Sequence, residues 1–177
     1  MNYFFTGSTE IFTNALPLLV ITALGLALGQ QINRSERWAL PLFLCTLGLG
    51  LQLGKMRIGV SDIYSPLSLE LAGIVAFGAV LRLKLPLLVV VLFSMACGLV
   101  LGLSIKPLLL PGFMSYKVYS VLAGISAAAT LLLALVTGVS LVLQRFWDGV
   151  LVRAMASWVL ASALMVLVLI ATKTFKV

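Results

Sequence analysis

The chain has 177 residues, of which 62% are hydrophobic and only 10% are charged, and its mean hydropathy is +1.21. A soluble domain is roughly half apolar and about a quarter charged, so this composition excludes a water-soluble globular protein. The net charge of +7 would suggest nucleic acid in a soluble protein, but here the basic residues stand singly or in pairs between apolar runs. In those places they set membrane topology, and we expect no nucleic-acid partner.

The apolar runs predict an all-α, polytopic membrane protein in which residues 1–177 form one integral membrane domain. Helices satisfy their backbone hydrogen bonds internally, as the lipid bilayer requires. About 20 residues at a rise of ~1.5 Å are needed to cross the hydrocarbon core. By this measure we predict a bundle of about six transmembrane helices. They are residues 11–31, residues 38–54, two helices of a hairpin within residues 65–106, residues 115–144 and residues 150–172.

The hairpin within residues 65–106 is the segment that we expect the other helices to surround. Pro66 and Pro86 stand where its two helices would begin, a position that suits a residue without an N–H donor. Glu70 falls about one turn inside the first of these helices. A carboxylate in hydrocarbon is costly, and Glu70 is therefore a candidate functional residue.

Two interpretations of Glu70 stay open at this stage. In one, its carboxylate lies at the membrane interface and complements the positive end of the helix dipole near Pro66. In the other, it lines a polar cavity between helices, where Gln52 or Asn14 would be its partner. Cys97 completes this candidate polar or transport site, although a thiol in an apolar helix more often serves only packing.

Small residues at four-residue spacing predict where helices approach each other closely. Glycine lacks a side chain, so two such helices can bring their backbones together. The predicted helix-packing residues are Gly25, Gly29, Gly50, Gly54, Gly98 and Gly102.

The orientation rests on the first helix, because the basic residues divide equally between the two sides of a six-span topology. No basic residue precedes this helix, whereas Arg34 and Arg37 follow it. Basic residues favour the cytoplasmic side, so we expect both termini on the non-cytoplasmic side of a bacterial inner membrane.

The absence of histidine limits the chemistry that this chain can perform. Histidine is a frequent general acid or base and the commonest transition-metal ligand in proteins. The sequence also contains none of the motifs GxSxG, HExxH or CxxC, and no glycine-rich phosphate loop. We therefore predict no enzymatic activity, no cofactor and no metal site, and we expect Cys45 and Cys97 to be free thiols.

Several of these segments resemble the HupE/UreJ family of small bacterial membrane proteins, which accompany hydrogenase and urease clusters as nickel permeases or accessory factors. The similar stretches are WALPLFLCTLGLGLQLG at residues 38–54, ELAGI at residues 70–74 with Gly78 after it, and residues 86–93. The family's His-Gly-x-x-His-Gly signature is represented by Cys97-Gly98-Leu99-Val100-Leu101-Gly102, which keeps both glycines and lacks both histidines. The family's N-terminal histidine motif is also absent; residues 12–17 read FTNALP.

The resemblance implies a permease-like or metallocentre-accessory membrane protein, with Glu70 lining a polar centre between helices. The missing histidines favour a second hypothesis: a non-catalytic subunit or assembly factor that packs its small-residue faces against a larger membrane protein complex. A homo-oligomer is a further form that such an assembly would take.

Overall fold

A computed structural model describes residues 3–31, 36–56, 61–81, 86–105, 115–147 and 149–174 of the chain. Nearly all of these residues lie in helices and none lies in a strand, which confirms the all-α class. In chain order the helices are α1 (Tyr3–Thr13), α2 (Ala15–Gln30), α3 (Glu36–Met56), α4 (Ser61–Val80), α5 (Leu87–Ser104), α6 (Ser115–Trp147) and α7 (Val150–Thr174).

Three helices contain a stretch that is long and apolar enough to cross a membrane: Leu87–Ser104 in α5, Val118–Arg145 in α6 and Val150–Ile170 in α7. Helices α1 and α2 together would make a fourth, although their axes are bent by 76°. Helices α3 and α4 contain the shorter apolar stretches Trp38–Gly54 and Pro66–Val80. The described part of the chain thus has three or four helices of spanning length, consistent with an integral membrane protein. The predicted count of six is not confirmed.

The first predicted span, residues 11–31, is interrupted at Asn14, so its prediction as one helix is wrong. In a continuous helix the ring of Pro17 would clash with the carbonyl of Thr13, and that carbonyl would lose its usual donor. Asn14 instead has extended backbone angles (φ −98°, ψ 120°), and Pro17 enters the first turn of a new helix, where no N–H is needed. The amide of Asn14 still donates to the Glu10 carbonyl at 3.3 Å.

Pro66, which was predicted to begin a helix, lies inside α4, and Pro41, near the start of the predicted helix of residues 38–54, lies inside α3. Helix α3 begins at Glu36 and α4 at Ser61, so Pro41 and Pro66 each follow a full helical turn. Each proline removes one intrahelical hydrogen bond. The earlier start of α4 also changes the position of Glu70, which lies about 14 Å along the axis from Ser61 and about 15 Å from the end of the helix, at ~1.5 Å per residue.

Helix α2 is the centre of the bundle. It contacts each of the other six described helices. Its sequence is apolar around the whole circumference, which is typical of a helix that is buried on all sides. The prediction that the α4–α5 hairpin is the central element is therefore wrong. The buried residues of α2 are Pro17, Val20, Ile21, Ala23, Leu24, Gly25, Leu26, Leu28 and Gly29.

Candidate functional site

Glu70 lies on the outer surface of the described bundle. On α4 the inward positions are taken by Leu69, Ala72 and Ala76, all of which are fully buried. Because an α-helix turns by about 100° per residue, Glu70 points away from that line of residues. The prediction that Glu70 lines a polar centre between helices is thus corrected: the phase of α4 turns its carboxylate outward.

The exposed side chains described on α4, together with that of Leu81 just after its end, form one stripe, which we name the Glu70 face. Its members recur every three or four residues, the spacing of a single helix face. Glu70 is the only charged member, and the side chains on either side of it are large and apolar. The Glu70 face consists of Leu67, Glu70, Ile74, Phe77 and Leu81.

The other candidate polar residues lie at separate places. Asn14 is exposed at the bend between α1 and α2, and Gln52 is exposed on α3, a helix that makes no substantial contact with α4 in the described structure. Cys97 is buried in α5, whereas Cys45 is exposed on α3, and both thiols are free. The described residues therefore do not bring Asn14, Gln52, Glu70 and Cys97 together around one polar site.

Gly25 and Gly29 lie where α2 packs against α6. A Cβ added at Gly25 would lie 2.7 Å from Cγ1 of Val136, and one added at Gly29 would lie 3.1 Å from the carbonyl oxygen of Thr137 and closer still to Ser140. Both distances are shorter than ordinary contact, so a larger residue would force the helices apart. Gly25 of α2 contacts Val136 of α6, and Gly29 contacts Ser140, so the residue numbers increase in the same direction along both helices. Helices α2 and α6 are therefore parallel.

Helices α3 and α5 form the closest backbone approach among the predicted glycine pairs. A Cβ at Gly102 would lie 2.7 Å from the Leu47 carbonyl oxygen, and one at Gly98 would lie 2.8 Å from the Phe43 carbonyl oxygen. On α3, a Cβ at Gly50 would lie 2.5 Å from the carbonyl oxygen of Leu99. Gly54 has more room, since its nearest neighbour is the Gly102 carbonyl oxygen at 3.4 Å. These helices also run parallel to each other.

A polar contact that the sequence analysis missed joins α6 to the end of α2. The amide nitrogen of Gln144 donates to the carbonyl oxygen of Gly29 at 2.8 Å, and the hydroxyl of Ser140 donates to that of Leu26 at 3.4 Å. The signal was present in the sequence, because Ser140 and Gln144 are four residues apart and therefore share one face of a helix.

A cavity of about 240 Å³ lies between α2, α4 and α5. Its walls are apolar except at one end, where Gln30 and Gln31 line it, and it includes none of the four candidate polar residues. The buried amide nitrogen of Gln30 has no hydrogen-bond partner within the described ranges. Composition alone gave no signal for this cavity, since it forms where three separate helices diverge.

Across the described residues, no group of three or more Cys, Asp or Glu side chains is close enough to hold a metal ion. No known protein family, curated protein or solved structure matches the chain. The resemblance to the HupE/UreJ family therefore stays a prediction that rests on the sequence patterns alone.

Proposed function

We propose that this chain is a non-catalytic subunit or accessory factor of a larger membrane protein complex, and that the Glu70 face binds a helix of a different membrane protein. The observation that carries the proposal is a carboxylate in the middle of an exposed, otherwise apolar helix face. Glu70 lies four residues, or about 6 Å, inside the apolar stretch Pro66–Val80 of α4. A carboxylate within the apolar part of a membrane helix is unfavourable unless a partner or water stabilises it. A polar or basic group on a partner helix would remove that cost.

The outer face of α7 provides a comparison within this chain, because we expect lipid alone to cover it. Its most exposed large hydrophobic side chains are Trp158, at 79%, and Met165, at 72%. Leu164, Val168 and Leu169 are exposed beside them, and residues 158–169 include no charged residue. Lipid can cover the α7 face, whereas the carboxylate of the Glu70 face needs a polar partner or water to stabilise it.

Gly73 supports binding of a helix at the Glu70 face. It lies one turn after Glu70, and a Cβ added there would meet no atom within 4 Å. Within this chain the glycine is therefore not required for packing. A small residue beside a polar one is the pattern that membrane helices use where another helix approaches closely.

In this proposal α2 to α7 cross a bacterial inner membrane six times, with both termini outside the cytoplasm. The parallel pairs α2/α6 and α3/α5 support it, because helices separated by an odd number of intervening crossings must run in the same direction. Helices α3 and α4 would cross with their shorter apolar stretches, which local thinning of the bilayer accommodates at modest cost. The permease-like role has less support, since the candidate polar residues lie apart.

The test is extraction of the native complex in mild detergent, followed by determination of its mass and subunits. We expect the wild-type chain to purify in a fixed ratio with a second membrane protein. Gly73→Leu adds a bulky side chain to the Glu70 face and should release that protein. The matched control is Gly138→Leu on α6, where an added Cβ also meets no atom within 4 Å. A wild-type chain that purifies alone as a single monodisperse species would contradict the proposal.

A further inference from the structure

The cavity between α2, α4 and α5 has a buried apolar floor. Leu24 and Leu28 contribute from α2, Val75 and Ala79 from α4, and Val90 from α5, and each of these residues is no more than 7% exposed. Such walls favour an apolar occupant over water, because a water molecule needs two to four polar partners. The volume of about 240 Å³ exceeds that of a 150 Å³ engineered cavity that binds benzene, and corresponds to roughly ten carbon atoms.

The mouth of the cavity opens on the outer surface of the bundle. Ile74 and Phe77 form part of its lining, and more than half of each side chain is exposed. In a membrane, lipid chains surround this surface, so the cavity is accessible from the hydrocarbon layer. Along α4 the cavity extends from Ile74, one turn beyond Glu70, to Ala79 near the end of the helix.

The end of the cavity nearest the end of α2 is polar. Gln30 and Gln31 line it there, and the Gln30 amide nitrogen is buried without a partner in the described part of the chain. Leaving a buried donor unpaired is unfavourable. The nitrogen itself is not accessible from the cavity, but a half-turn of the last torsion exchanges the oxygen and nitrogen of a glutamine amide and would let Gln30 donate to a ligand.

We propose that this cavity binds one membrane lipid. Its acyl chain lies against the apolar floor, and an ester or carboxyl oxygen of the lipid accepts a hydrogen bond from Gln30. The apolar volume, the opening toward the hydrocarbon layer and the amide at one end together match a molecule with a long apolar chain and an oxygen at its end. Ile74 and Phe77 belong both to the mouth of the cavity and to the Glu70 face, so in the proposed complex the partner helix would lie beside the bound lipid. The isolated chain tests lipid binding without that partner.

Gly78 provides the variant that tests the proposal. It lines the cavity, and a Cβ added there meets no atom within 4 Å, so Gly78→Leu can occupy the ligand's space without disturbing the packing of the helices. Gly48→Leu is the matched control: its Cβ also meets no atom within 4 Å, but Gly48 lies on α3, away from the cavity. Gln30→Leu removes the amide and keeps the apolar volume.

The assay uses the purified full chain, freed of lipid and then incubated with excess palmitoyl-oleoyl phosphatidylglycerol in mild detergent, and counts bound lipid by native mass spectrometry. We expect one retained lipid for the wild type and for Gly48→Leu, and none for Gly78→Leu. Gln30→Leu should bind about two- to tenfold more weakly, the net effect of one neutral hydrogen bond.

Equal retention of lipid by Gly78→Leu and the wild type would overturn the proposal. Detergent adducts alone on the wild-type chain would overturn it as well. Thermal unfolding of each variant in the same detergent is the control: it shows whether the variant is folded under the conditions of the lipid-binding assay. Failure of this test leaves the proposed complex unaffected, because the assay contains no other protein.

Discussion

The close backbone approach of α3 to α5 yields the sharpest stability prediction. At Gly102 an added Cβ would lie 2.7 Å from the Leu47 carbonyl oxygen and 2.8 Å from the Leu51 amide nitrogen, both of which are backbone atoms of α3. Backbone cannot rotate away as a side chain can. Ordinary contact begins near 3.4 Å, so Gly102→Ala requires α3 and α5 to separate by about 0.7 Å.

The size of the effect follows from that separation. A gap of about 0.5–1 Å forfeits a quarter to a half of the dispersion energy of the facing atoms, and overpacked sites typically lose about 1–3 kcal/mol. We therefore expect Gly102→Ala to lower the free energy of unfolding by about 1–3 kcal/mol. The gain in helix propensity contributes little, because membrane helices stay helical when their packing is lost.

The assay is equilibrium unfolding in mixed micelles, in which an increasing fraction of sodium dodecyl sulfate separates the helices and tryptophan fluorescence follows the transition. Gly48→Ala is the control, since its Cβ meets no atom within 4 Å, and we expect a change within about 0.5 kcal/mol. Equal stabilities of Gly102→Ala and the wild type would refute the packing of α3 against α5. Equal losses in both variants would refute it too.

Three further predictions concern polar groups. Gln144→Leu removes the hydrogen bond to the Gly29 carbonyl and should cost about 0.5–1.5 kcal/mol in the same unfolding assay, whereas an unchanged midpoint would contradict the contact. Ser94 is fully buried and its hydroxyl has no partner within the described residues, so Ser94→Ala should leave stability unchanged or raise it by up to about 1 kcal/mol; a clear loss would indicate a hidden partner. Cellular nickel uptake should be the same for the wild type, Glu70→Gln and Cys97→Ala, because these side chains lie apart; a drop in either variant would favour a permease.

The helical class and the positions of most helices could be predicted from the sequence, because long apolar runs indicate helical segments that lie in the lipid bilayer. The end of α2 and the beginnings of α5, α6 and α7 lie within one or two residues of the predicted positions. The break at Asn14 was missed because apolar residues stand on both sides of Thr13 and Asn14 and together predict one span. Pro17 indicated the bend, because proline is strongly disfavoured in the interior of a helix.

The arrangement of the candidate site could not be predicted in the same way. Hydropathy places Glu70 in an apolar segment but does not give the direction of its side chain, which depends on which face of α4 packs against α2 and α7. The cavity beside Gln30 depends on how three helices diverge, and no local pattern in the sequence encodes that divergence. By contrast, the helix contact at Gly98 and Gly102 could be predicted from the sequence, because their four-residue spacing alone places both glycines on one face of a helix.

The most direct test of the central claim is site-specific photo-cross-linking in the native membrane. A benzophenone side chain at position 67 on the Glu70 face should give a discrete product with one other membrane protein, whereas the same group at position 165 on α7 should react only with lipid. The absence of a protein product at position 67 would contradict the account. So would a product of twice the chain's own mass, which would identify the partner as a second copy of this chain.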